Sequence, residues 1–376
     1  MKRSRYILLI PALALFPSTA SANAGTPLMW ASGFHLVFGN AIIGLIEGLL
    51  LSWLFKCPKR KSILILIAAN YASAWAGGFL VAGYLPSLVN ITIQNIQSWF
   101  LTFVVVAFVV TLLIEFAFFW FARGSREHRF RRTLTANLTV NGISYVLLFG
   151  WYWIASGTSM LTQLEVVSVD EIEIPEPYAL YYLSYEGDHI IRMDPTKPSS
   201  KEAISKVTAH HPNDRLFARP RKDSGFDLFV YLDSDDRGAE MESRILEDFS
   251  EQAPVDWSIA EGHADKAEGS WFNFGPVPTI GPASNWFFFT GFWSGEGIDG
   301  KNEKTGKKVQ YSLELPFAAW HVRNATQIAG DYVVAQLGND QICMIHPASK
   351  RIALIARGKG PIVAKPKQSN PVPGTD

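Results

Sequence analysis

Glu47 and Glu115 each stand inside an otherwise apolar run, nine residues before Lys56 and eight before Arg123. A carboxylate in such a run costs several kcal/mol unless something satisfies it. Two amides fall at the same level when measured from the basic residues: Asn70 is nine residues after Lys61, and Asn141 nine after Arg132. At 1.5 Å per residue all four side chains lie roughly 12 to 14 Å from the cytoplasmic helix ends, near the middle of a ~30 Å hydrocarbon core. Two carboxyls and two amides at one depth could hold a cation, pass protons or bind a cationic group, since oxygen ligands suit hard ions and close carboxylates resist ionising together. The competing expectation is that the glutamates serve as hydrogen-bonding glue between helices.

Helical spacing gives each of these residues a polar or small face. Asn40, Gly44 and Glu47 share one side of a first helix, where Gly44 and Gly48 form the small-xxx-small spacing that lets helices approach closely. Asn70, Ser73, Ala74 and Gly77 share a side of a second, and Thr111 stands one turn before Glu115 in a third. In a fourth, Asn137, Asn141 and Tyr145 repeat every four residues. Inward-facing patterns of this kind predict a bundle with a polar layer of Glu47, Asn70, Glu115 and Asn141, flanked by Asn40, Thr111 and Asn137.

Four apolar segments must position that layer: 33–55, 63–85, 99–121 and 134–156, each of about the 20 residues that cross a bilayer. Between Gly25 and Met160 the Lys and Arg residues fall in two blocks, Lys56 to Lys61 and Arg123 to Arg132, while the loop from Pro86 to Ser98 carries no charge. The positive-inside rule puts both blocks in the cytoplasm and the carboxy-terminal half outside. An N-terminal signal peptide over residues 1–24 agrees: Lys2, Arg3 and Arg5 precede an apolar stretch, and Ala22-Asn23-Ala24 supplies a small-residue cleavage pattern. Trp30, Trp99, Trp151 and Trp153 would mark the outer interface, Trp53 and Trp120 the inner one.

The formal charge of zero averages two unlike halves. Residues 1–160 carry 12 Lys and Arg against 3 Asp and Glu, and residues 161–376 carry 22 against 31, so a basic membrane half precedes an acidic half. The domain reading is therefore a four-helix transmembrane domain over 25–160, an acidic extended linker over 161–177, an all-β extracytoplasmic domain over 178–357, and a disordered Lys-, Pro- and Gly-rich tail over 358–376. Within the β half, Tyr182 to Pro195 resembles Val334 to Pro347: strand, Gly-Asx turn, strand, then Pro. Such paired hairpins suggest a small propeller-like array, with a sandwich or irregular barrel as the alternative.

No catalytic or cofactor signature emerges. His210 and His211 are adjacent and cannot share a helical face, Ser294 lacks the glycines of a nucleophile elbow, and there is no Cys-x-x-Cys. Asp233 to Gly238 begins like a calcium loop but places Arg237 and Arg244 where ligands belong, so no metal site is expected. Cys57 and Cys343 fall on opposite sides of the membrane in this topology, and Cys343 reads as a small buried hydrophobe. The aromatic cluster of Trp271, Trp286 and Trp293 is either a buried strand or an exposed platform for a glycan or lipid. The expected protein is a multi-pass membrane protein of a bacterial inner membrane, in contact with lipid and with no nucleic-acid partner; a binding protein is expected before an enzyme, with an extracytoplasmic hydrolase as the third alternative. Its β domain would be a binding or assembly module for an extracytoplasmic protein or glycan, and the chain could form a homo-oligomer. The alternative is movement of an ion, proton or solute, or proton-linked signalling, through the Glu/Asn layer.

Overall fold

Long apolar runs with no proline in their interiors fold as helices. In the computed structural model these are α1 (Pro27–Phe34), continued through a π-helical turn (His35–Gly39) into α2 (Asn40–Phe55), then α3 (Lys59–Gly77), α4 (Ile96–Arg123) and α5 (Arg129–Ala155). The structure describes residues 27–78, 84, 88–123, 128–211, 213–222, 224–233, 241–255, 275–290, 297–312, 314–315 and 318–366. The expected signal peptide lies outside them, as do Trp271 and Trp293 and most of the calcium-like loop.

Three of the helical stretches, Ala31–Phe55, Ile96–Arg123 and Arg129–Ala155, are long and apolar enough to cross a membrane. The expected span 63–85 is not their equal. Helix α3 starts earlier, with Lys59, Arg60 and Lys61 in its first turn, and carries Asn70 and Ser73 on its buried face, so charge and polarity dilute its apolar run. It is nevertheless packed between α2 and α4. The turn joining α2 to α3 is tight: Lys56 adopts a left-handed conformation and Pro58 opens α3, which suits the fixed φ of proline.

Close approach of α2 and α3 depends on two glycines. A Cβ at Gly44 would lie 2.5 Å from Ile67 Cα, and one at Gly48 would lie 2.5 Å from Ile63 Cα. Neither position has room for a side chain, as the small-xxx-small spacing predicts.

The carboxy-terminal half is antiparallel β apart from one short strand. Its largest sheet has eight strands, ordered β14 (Val322–Ile328), β15 (Tyr332–Leu337), β16 (Gln341–His346), β17 (Arg351–Ala364), β2 (Ala179–Ser184), β3 (His189–Asp194) and β4 (Lys197–Lys206), with β1 (Glu165–Val166) parallel to β17. Two smaller sheets pack with it: β5 (Arg215–Pro220), β6 (Phe226–Leu232) and β7 (Met241–Ser250), and then β8 (Gly275–Pro276), β9 (Trp286–Thr290), β10 (Ile298–Asn302) and β11 (Lys308–Tyr311). The short pair β12 (Glu314–Leu315) and β13 (Ala318–Ala319) completes the described strands.

The described strands form no propeller and no closed barrel. The two similar segments are indeed hairpins, β2–β3 and β15–β16, turning at Gly187 and Gly338 with positive φ. They are not separate blades, because β17 joins them: its first half pairs with β16 and its second half with β2. The changeover falls at a register shift between Lys359 and Ile362, where Gly360 has φ 56° and a Cβ would meet Arg215 Cα at 2.3 Å. Bulged strands of this kind turn sheet corners. The expected tail therefore begins inside the core: Gly360, Pro361, Ile362, Val363 and Ala364 are buried, and the Gly/Pro composition belongs to the corner.

The expected linker is also built in. Leu164, Val167, Val169 and Ile172 are buried, β1 pairs with β17, and Ser168 and Glu171 close a capping box around a 3-10 turn. Its acidic side chains hid an apolar set that belongs to the β core. The aromatic strand β9 alternates: Trp286 and Phe288 face inward, whereas Phe287 and Phe289 face out. Trp286 is thus core, stacked on Phe288 at 5.6 Å, and not part of an exposed platform.

Bundle and β region share a joint. In the loop between α3 and α4, Ile93 N–H donates to Gln341 Oε1 at 2.8 Å, and Arg357 bridges Asn90 Oδ1 at 3.1 Å and Asp340. After α5, Met160 N–H donates to Ser312 O at 2.7 Å. Ile93, Met160 and Leu164 pack in one hydrophobic cluster with Trp286, Phe288 and Ile298. The free end of α5, the start of α4 and the β region therefore lie at one end of the bundle, here called the β end; Lys56, Lys59, Arg60 and Lys61 with Arg123, Arg129, Arg131 and Arg132 mark the basic end.

Candidate functional site: a buried dicarboxylate cluster

Each of the four long helices turns one polar stripe inward. The buried residues are Asn40, Gly44, Glu47, Gly48 and Leu51 on α2, and Ser62, Leu66, Ala69, Asn70 and Ser73 on α3. On α4 they include Glu115 and Phe119, and on α5 Thr133, Ala136, Asn137, Val140, Asn141 and Ser144. Glu47 is 1% exposed and Glu115 is fully buried.

Both oxygens of Glu47 are engaged by other helices. Asn70 Nδ2 on α3 donates to Oε2 at 2.5 Å, and Ser144 Oγ on α5 donates to Oε1 at 2.5 Å. The second hydrogen of the Asn70 amide goes to Leu66 O at 3.0 Å, which fixes its orientation. Glu115 accepts from Ser73 Oγ at 2.7 Å through Oε1, while its Oε2 is buried without a hydrogen-bond partner. Asn141 lies beside Glu115; one of its amide hydrogens goes to Asn137 Oδ1 at 2.9 Å, and the other remains available to the Glu115 carboxyl. Asn137 in turn donates to Leu112 O on α4 at 2.8 Å. The two carboxyls are within electrostatic reach of one another, and among the described residues no Lys, Arg or His faces them.

Of the residues singled out from sequence, Glu47, Asn70 and Glu115 meet in one cluster, with Asn141 alongside and Asn137 supporting it. Thr111 belongs to an adjacent pair, bonding Tyr145 OH at 2.8 Å. Asn40 stands apart, two turns from Glu47 toward the β end, where its amide donates to Leu36 O at 3.3 Å and supports the π-helical turn. Ser73 and Ser144 are the partners that counting positions from the basic residues did not single out. Ser144 was signalled by position, three residues after Asn141 and seven after Asn137 on the same face.

The serines matter chemically because a hydroxyl both donates and accepts, so each carboxyl has one partner able to suit its ionised or its protonated form. The described residues contain no group of three or more His, Cys, Asp or Glu suited to a metal. What the cluster can do chemically is hold a number of protons that changes with conditions. No family model matches this chain, and no curated protein matches it in sequence.

Proposed function

We propose that this is a four-crossing integral membrane protein whose bundle binds and releases protons at Glu47 and Glu115, with the β half as its extracytoplasmic module. The observation that carries the reading is the cluster itself. Two carboxyls from α2 and α4 are buried together, and among the described residues no cation faces them. Full ionisation of both would cost several kcal/mol at mid-membrane depth, so a gained or lost proton is the change the site can make.

Support for the fourth crossing comes from the joint. Asn90 and Ile93, just before α4, contact the β region, whereas the turn before α3 carries the basic block. Helix α3 must then connect the two ends. The basic blocks at the far end favour a cytoplasmic location there and an extracytoplasmic β half. Since the loop before α4 docks on Gln341 and Arg357, the β half is suited to reading the state of the bundle while it binds a protein or glycan outside.

The test is Glu47→Gln and Glu115→Gln, singly and together, scored for folded yield and for protons taken up per folded molecule on a pH step. Normal yield with lost uptake in the double variant is the expected result. Unchanged uptake per folded molecule, whatever the yield, would reduce the layer to structural glue.

A further inference from the structure

The two sides of the carboxyl layer are built differently. Toward the basic end the bundle interior is dominated by an apolar cluster, Leu51, Leu66, Ala69, Phe119, Ala136 and Val140, all 0% exposed, with Ala122 and Cys57 beyond; Asn137 is buried beside it, bonded to Asn141 Nδ2 and to Leu112 O. Leu51, Leu66 and Phe119 each lie one turn from Glu47, Asn70 and Glu115 in that direction. Near the basic end, Ser62 Oγ and Thr133 Oγ1 are buried without hydrogen-bond partners, so no hydrogen-bonded chain runs from them to the carboxyls.

Toward the β end the interior is polar. Thr111 and Tyr145 are paired at 2.8 Å one turn above Glu115. Asn40 is buried about 10 Å above Glu47. Above it, His35 Nδ1 and Tyr152 OH are 2.8 Å apart, both half-buried, and Tyr71 OH bonds Val37 O in the π-helical turn. Apolar side chains are buried here too, Ala31 and Phe103 among them.

Resting on the proton-binding reading above, we propose that the Glu47/Glu115 layer exchanges protons with the β end only, by way of Thr111 and Tyr145, Asn40, and His35 with Tyr152. The apolar plug closes the basic end, so the bundle reports the acidity of one side instead of carrying protons across. Apart from the carboxyls, the titratable groups turned toward this interior among the described residues are Tyr145 and Tyr152 on α5, His35 before α2, and Tyr71 on α3, with Cys57 and Arg123 buried at the basic end. Proton transfer over such distances needs relay groups that both donate and accept, which hydroxyls and imidazole do and the plug residues do not.

The experiment uses the full chain in sealed vesicles, oriented with the β half outward and loaded with a trapped pH dye. The pH is stepped from 8 to 5 on one side while the other is buffered, and the infrared band of protonated carboxyls is followed. The expected result is a band that follows outer pH, ignores inner pH and is missing in E47Q/E115Q, with dye response no faster than in protein-free vesicles. Tyr145→Phe should slow the outer response about tenfold, and Leu51→Ser with Ala136→Ser should admit an inner response. A band that follows inner pH, or a dye response that E47Q/E115Q abolishes, would overturn one-sided access while leaving proton binding intact. A band equally insensitive in wild type and E47Q/E115Q would overturn the proton-binding reading itself.

Discussion

Gly44→Ala puts the helix packing and the polar cluster under one perturbation. The added Cβ would sit 2.5 Å from Ile67 Cα, 2.6 Å from Ile67 N and 2.8 Å from Leu66 O, all backbone atoms that cannot swing away. Restoring ordinary contact at about 3.5 Å requires α2 and α3 to part by about 1 Å, in line with the close-packed limit on core insertions. Glu47 lies three residues after Gly44, and Asn70 three after Ile67, so the same separation stretches their 2.5 Å hydrogen bond to about the limit of a hydrogen bond. Overpacking costs about 1 to 3 kcal/mol, and an interhelical hydrogen bond in a membrane contributes about 0.5 to 2 kcal/mol. The expected loss is therefore about 1.5 to 5 kcal/mol, read by detergent-induced unfolding in mixed micelles. Gly142→Ala is the control, because a Cβ there meets nothing within 4 Å. It should be neutral or stabilising by up to about 1 kcal/mol through helix propensity. Repeating Gly44→Ala in an Asn70→Ala background should cut its cost by about 1 kcal/mol. A Gly44→Ala protein within about 0.5 kcal/mol of wild type would refute the packing argument, and an undiminished cost in the Asn70→Ala background would refute the coupling.

Other outcomes follow from single sites. Ser144→Ala leaves Glu47 Oε1 without its donor and should destabilise the bundle by about 1 to 2 kcal/mol in the same unfolding assay; Ser144→Thr, which retains the hydroxyl, should recover part of that loss. Cys343 is fully buried and burial pushes its thiol well above the ordinary range, so a thiolate-directed alkylating agent should leave it unmodified in the native protein and label it after denaturation, as mass spectrometry will show. Asp227 is held below the ordinary carboxylate range by the Asp248 backbone N–H, with Arg221 and Arg244 adding to it. Its folded form binds its proton less readily than its unfolded form, so its stabilising contribution is complete above about pH 5 and is lost as pH falls through about 4 and below. Asp227→Asn should flatten that part of the acid-unfolding profile, measured by circular dichroism of the β signal.

Much of the site was legible because charge in an apolar run is rare and depth can be counted from basic blocks. Glu47, Asn70 and Glu115 share a level for that reason, and Asn141 and Asn137 share a face. Ser73 and Ser144 were not readable as partners, since serine is common among the small residues of packed helices and signals little by itself. Asn40 followed the face of Glu47 but lies two turns away, a reminder that a shared stripe is not shared depth. In the β half, the Gly-Asx turns at Gly187 and Gly338 gave both hairpins correctly, because hairpin turns are local. Their assembly was hidden because it depends on β17, whose second half carries Gly358, Gly360 and Pro361 and reads by composition as a tail. Likewise Glu165, Asp170, Glu171 and Glu173 masked the buried alternation of Leu164, Val167, Val169 and Ile172. Non-local pairing, such as β1 with β17, leaves no periodic trace in either strand alone.

Proton binding at the two glutamates is most directly tested by infrared difference spectra of the reconstituted protein between pH 8 and pH 5, compared with E47Q, E115Q and the double variant. If the account holds, the wild-type spectrum gains a protonated-carboxyl band at low pH that each single substitution shifts or reduces and the double substitution removes. A difference spectrum in that region identical for wild type and a folded double variant would contradict it.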